Sequence, residues 1–143
     1  MVKSLTIWMP GEPPRSTAQQ QLITRSGRVV PGKKVTAAKQ VLEGRLAAHV
    51  PAEPFTGPLA VAMVWCWSRS GKTPIAWKTT RPDIDNIAKL LLDVMTRLRY
   101  WEDDATVAQL SVTKIWNPEP GIKITISKLE KIVLEKTPEL WYT

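Results

Sequence analysis

Residues 83–99 read DIDNIAKLLLDVMTRLR, and Ile84, Ile87, Leu91, Val94, Met95 and Leu98 recur in it at three- and four-residue spacings. That period marks one apolar side of an α-helix lying against a sheet. Asp85 suits its N-cap or first turn, where a carboxylate meets unsatisfied N–H groups and the positive end of the helix dipole. Upstream, Leu59–Trp67 (LAVAMVWCW) is almost wholly apolar, the pattern of a central strand covered on both faces. Cys66, the single cysteine, reads there as a small buried hydrophobe. Downstream, Ala108, Leu110, Val112, Lys114 and Trp116 alternate with Gln109, Ser111 and Thr113. The turn residues Asn117-Pro118-Glu119-Pro120-Gly121 follow, then Ile122, Ile124 and Ile126 alternate with polar neighbours. Two alternating runs around such a turn predict a hairpin.

Working outward, Ser4–Met9 alternates into Pro10-Gly11 and reads as a strand. Val35 to Val50 has helical composition, with Val41, Leu42, Leu46 and Val50 on one side and Pro51 as its stop. His49, in its last turn, suits helix-end carbonyls better than chemistry. The order β-α-β-α-β-β predicts a mixed α/β (α+β) fold, one sheet with two main helices packed on it. Neither a repeat nor a linker divides residues 1–143, so a single domain is expected, with the tail 130–143 unassigned.

The chain carries 20 Lys and Arg against 13 Asp and Glu, a net charge of +7 and a pI near 9.8. That is the charge balance of a polyanion binder. No apolar run approaches the ~18–20 residues that span a bilayer, and the start lacks a signal-peptide layout, so no membrane role and a cytoplasmic site are expected. Ser-Gly-Lys-Thr at 70–73 lacks the first glycine of a phosphate-binding loop and is followed by Pro74, which argues against a nucleotide cofactor.

The acids are concentrated. Asp83, Asp85, Asp93, Asp103 and Asp104 are all the aspartates, and with Glu102 they oppose three bases within 83–104. Elsewhere two acid-free stretches are basic: 13–42, with Arg15, Arg28, Lys33 and Lys34, and 54–82, with Arg69, Lys72, Lys78 and Arg81. Carboxylates repel phosphate, so an acidic patch in a basic surface suits a divalent ion that bridges them, with the cations holding the remaining backbone. Asp85, Lys89, Asp93 and Arg97 also fall on one helical line, which taken alone reads as a surface stripe of ion pairs. Against that, Asp83 and Asp85 flank Ile84, which can point into the core while both carboxylates face outward. Trp101-Glu102-Asp103-Asp104 brings further acids after the helix, and like charges at close range call for a cation. Lys89, one turn beyond Asp85, suits charge developing in a phosphodiester transition state.

Arg81-Pro82-Asp83-Ile84-Asp85-Asn86-Ile87-Ala88-Lys89, then Asp93, then Trp101-Glu102-Asp103-Asp104, resembles the RusA family of Holliday junction resolvases. The family pattern is an Asp-X-Asp-Asn segment, a lysine four residues after its second Asp, and a Trp-X-Asp-Asp segment before a strand; the clear match covers about residues 81–116. The resemblance implies a small homodimer, bacterial or phage-encoded, that nicks four-way DNA junctions symmetrically in recombination and repair using Mg²⁺, with Mn²⁺ as a substitute. It implies Asp83, Asp85 and Asp104 as metal-binding acids, Lys89 as the catalytic lysine and Asp103 as support for Asp104. DNA contact falls to Arg81, in place of the basic residue some members carry where Pro82 stands here, and to Lys78, Lys72, Arg69, Arg15, Arg28, Lys33 and Lys34. A flap- or single-strand-directed nuclease with the same site and a non-catalytic DNA-binding protein are the alternatives.

Overall fold

The computed structural model describes residues 4–15, 21–23, 25–31, 33–69 and 74–132. The elements run β1 (Ser4–Pro10), β2 (Gln21–Ile23), β3 (Val29–Pro31), α1 (Lys33–Leu46), β4 (Leu59–Trp67), β5 (Ala76–Trp77), α2 (Ile84–Arg97), β6 (Val107–Trp116) and β7 (Gly121–Lys128). Five strands form one mixed sheet in the order β1-β7-β4-β6-β5, while β2 and β3 pair separately inside the basic stretch 13–42. The expected mixed fold and its principal order are both present.

The predicted β6–β7 hairpin is not. β4 lies between them, parallel to β6 and antiparallel to β7. The most apolar strand takes the centre of the sheet, where its backbone pairs on both edges. Residues 117–120 then carry the chain across the end of β4, pinned by the Asn117 N–H donating to the Trp67 carbonyl at 2.9 Å.

Register places Ile7, Met9, Ile122, Ile124 and Ile126 beside Val61, Met63 and Trp65 on one face. All are buried in a core that also takes Ala38, Leu42 and Leu46 of α1 and Ile87, Leu91, Val94 and Met95 of α2. Both helices therefore cover the same face. On the opposite face Ala62 is exposed beside Ser111 and Thr125, so β4 is covered on one side over most of its length rather than on two. Alanine, serine and threonine suit that wet side because they expose little apolar surface.

The Pro-rich segment after β1 is tied across the top of the sheet. Glu12 accepts from the Ser68 N–H at 3.0 Å and from its hydroxyl, and Arg45 donates to the Glu12 carbonyl at 3.0 Å. Among the described residues no helix is long and apolar enough to cross a membrane.

Candidate active site

The chain enters α2 through Asp83, whose extended backbone (φ −71°, ψ 146°) makes it the N-cap. Its carboxylate makes no capping hydrogen bond, and Asp85 follows in the first turn. Both are exposed and line a cleft of about 510 Å³ with Trp77, Lys78, Ile84 and Lys114. Ile84 does not enter the core as its spacing suggests. It is 47% exposed, lining the open cleft with Val112, Thr113 and Lys114 of β6 instead of packing into the core with Ile87 and Leu91.

Lys78 is 6% exposed, although it falls in the basic stretch 54–82 expected to hold DNA phosphates. Its ammonium sits 4.4 Å from the centre of the Trp116 ring and 5.2 Å from that of Trp67. It donates to the Thr80 hydroxyl at 2.6 Å and the Arg81 carbonyl at 2.7 Å. Burial pushes its pKa below the usual lysine range, and the Lys114 and Arg15 charges push the same way. The ammonium is thus committed to groups of its own chain while its side chain lines the first cleft. Lys114 donates in turn to the Thr80 carbonyl at 2.7 Å and the Pro82 carbonyl at 2.6 Å. The Arg81–Pro82 peptide between them is cis.

The helical line Asp85, Lys89, Asp93 and Arg97 does not form its expected ion pairs. Arg97 reaches Glu43 of α1 at 2.8 Å, and among the described residues Asp85, Lys89 and Asp93 join no ion pair. The acids on α2 are not neutralised by their own helix.

Asp103 accepts from the Ala105 N–H at 2.9 Å, capping the 3-10 turn Asp104–Thr106. Asp104, half-buried, lines a second cleft of about 530 Å³ with Asp93, Glu43, Lys39 and Arg97. Burial raises its carboxyl pKa, and the hydrogen bond its protonated form donates to Asp103, together with the charges of Asp103 and Asp93, raises it further.

Asp104 does not join Asp83 and Asp85 in one cage. Among the described residues no three metal-ligating side chains converge. The connection β4–α2–β6 explains this. The strands are parallel, so the chain enters β6 at the end of α2 opposite the one where Asp83 stands. The 14 residues of α2 span about 21 Å. A single chain thus presents a pair of carboxylates at one end of α2 and a third at the other.

Of the basic residues, Arg81 is exposed, two residues before Asp83 in the chain. Arg69 lies 5.1 Å from the centre of the Trp116 ring. Arg15 pairs with Glu12 at 3.3 Å and donates to the Ser68 carbonyl. Arg28 is exposed near the β2–β3 turn. Lys72 and the side chains of Lys33 and Lys34 lie outside the described residues. Lys114 was visible in the sequence only as a lysine in the apolar phase of an alternating strand, a signal of a buried or committed ammonium.

The sequence pattern of the Endodeoxyribonuclease RusA family matches residues 10–127. The chain belongs to the RusA endodeoxyribonuclease family. Among its similar proteins, the crossover junction endodeoxyribonuclease rusA of Lactococcus phage r1t is 34% identical over 91 residues, covering 62% of this chain and 70% of that protein. The uncharacterized protein YqaN of Bacillus subtilis (strain 168) is 37% identical over 51 residues, 36% of this chain and 35% of that protein. The RusA match contains both clefts and the whole of α2.

Proposed function

We propose that this RusA-family chain is a divalent-metal-dependent endodeoxyribonuclease that resolves four-way DNA junctions as a homodimer, in recombination and repair in the cytoplasm. The observation that carries the reading is the pair Asp83 and Asp85, exposed, without ion pairs among the described residues and sharing a cleft at the start of α2. Two hard carboxylate ligands suit Mg²⁺ or Mn²⁺, which is commonly held by one or two carboxylates together with substrate phosphates. Bound there, the ion supplies a water of lowered pKa and positive charge for the phosphoryl oxygen.

The residues of the chain do the rest. Lys89, one turn along α2 from Asp85, offsets charge on the departing oxygen. Arg81 holds the phosphates flanking the cut, and the resulting affinity falls steeply with salt. Asp104 reaches an Asp83–Asp85 pair from the second subunit, so that each of two sites draws acids from both chains. Two features support this reading: the length of α2, which keeps the three acids apart in one chain, and the exposure of Ile84 (47%) and Leu110 (43%), apolar surface suited to a subunit contact. A two-fold pair of sites matches the symmetry of paired incisions in a junction.

The test is cleavage of a labelled synthetic four-way junction with and without Mg²⁺, beside a flap, a duplex and a single strand. Symmetric, ligatable nicks in the junction alone support the proposal. Preferred cleavage of the flap or single strand, or binding without Mg²⁺-dependent cleavage, overturns it.

A further inference from the structure

Four hydrogen bonds from two lysine ammonium groups converge on three consecutive residues immediately before Asp83. Lys78 takes the Thr80 hydroxyl and Arg81 carbonyl, and Lys114 takes the Thr80 and Pro82 carbonyls, all at 2.6–2.7 Å. The Lys78 N–H also donates to the Lys114 carbonyl at 3.1 Å, so both lysines are fixed to one another through the backbone. Cations near a helix N-terminus oppose the helix dipole, and a buried ammonium is costly unless hydrogen-bonded. Carbonyl acceptors compensate both costs, and in doing so fix the segment that delivers Asp83.

We propose that Lys114, braced by Lys78, is a positioning residue for the reaction, holding the Thr80 and Pro82 carbonyls so that Asp83 and Asp85 face the cleft in the geometry a divalent ion requires. This rests on the reading of Asp83 and Asp85 as the metal-binding pair. Partners that orient a metal ligand without touching the metal typically change metal affinity or activity by about 10–100-fold when removed. Lys114 acts through the backbone one residue from the ligand, a shorter lever than any packing contact.

The experiment compares wild type with Lys114→Met, Lys114→Arg and Asp83→Asn in single-turnover cleavage of a four-way junction at saturating protein. Junction affinity without divalent ion, the Mg²⁺ midpoint and the thermal midpoint are measured in parallel. Lys114→Met is expected to lose about 10–100-fold in saturated rate and to need more Mg²⁺. Its metal-free junction affinity should stay within about threefold, because a lysine bound to carbonyls contributes little to phosphate binding. Lys114→Arg, which still donates to carbonyls, should recover part of the rate. Should the Met variant not fold, Lys114→Gln keeps one donor and should show an intermediate loss. A Met or Gln variant that cleaves at the wild-type saturated rate overturns the proposal, as does one whose whole defect is weaker binding. If that happens while Asp83→Asn is inactive, the positioning role alone fails. If Asp83→Asn cleaves normally, the metal-site reading fails and the positioning role with it.

Discussion

Arg97 forms its ion pair with Glu43 of α1, at 2.8 Å, instead of with Asp93 one turn back on its own helix. The pair joins the two helices at the mouth of the second cleft and leaves Asp93 beside Asp104. Its arginine side chain is 70% exposed, so solvent screens most of its energy. Glu43→Gln should therefore lower unfolding free energy by less than about 1 kcal/mol in urea titrations. A loss of several kcal/mol would show that the two helices depend on this pair.

Two glycines predict opposite outcomes. A Cβ on Gly121 would overlap the Trp8 ring and approach the Met9 carbonyl to 2.7 Å, and β1 cannot move away without breaking its ladder with β7. Gly121→Ala should destabilise by about 1–3 kcal/mol. Gly44 lies exposed inside α1 with nothing near its missing Cβ, so Gly44→Ala should stabilise by about 0.5–1 kcal/mol. Chemical denaturation of both variants checks the register and the helix together.

Tyr100 is fully buried and donates to the Leu46 carbonyl at 2.6 Å. Burial pushes its pKa up to about 12 from an ordinary 10.0. The unfolded chain therefore releases this proton first, and stability falls as pH rises from about 10 towards 12, by up to about 3 kcal/mol from this group. Tyr100→Phe should cost about 1–2 kcal/mol at pH 7 and make the alkaline decline shallower than in wild type. Equal slopes for the two proteins would contradict the assignment.

What could be read in the sequence follows the physics of local signals. The apolar period of α2 and the unbroken run of β4 identified both elements, since burial of one helical side or a whole strand leaves a dense pattern. The pairing of β6 and β7 could not be read locally, because alternation marks a strand but not its neighbour, and here the partner is the distant β4. Ile84 keeps the helical period yet stays exposed, because period reports a direction and not whether a neighbouring side chain closes over it or a cleft lies open there. The acids 83 and 85 were legible as a pair. The separation of Asp104 from them depends on β4 and β6 being parallel and joined through α2, which no spacing between acids encodes. Lys78 reads only as one base of a basic loop, and only the fold brings the Trp67 and Trp116 rings around it.

If each site takes Asp85 from one subunit and Asp104 from the other, two inactive variants should complement. A mixture of Asp85→Asn and Asp104→Asn proteins forms mixed dimers with one intact site. Such a mixture, after subunit exchange, should nick one strand of a junction while either variant alone is inactive. No cleavage by the mixture, with subunit exchange verified, would place the three acids in one chain, whereas cleavage by Asp104→Asn alone would remove Asp104 from the site.

The most direct measurement of the central claim is junction cleavage by wild type and Asp85→Asn across a Mg²⁺ titration, with binding followed in the absence of metal. Wild type should nick symmetrically in a Mg²⁺-dependent manner, and Asp85→Asn should lose at least about 10³-fold, or about 4 kcal/mol of transition-state stabilisation. Binding by the variant should equal or exceed wild type, because a negative charge near phosphate has been removed. Cleavage by Asp85→Asn near the wild-type rate, or cleavage by wild type without any divalent ion, would contradict that claim.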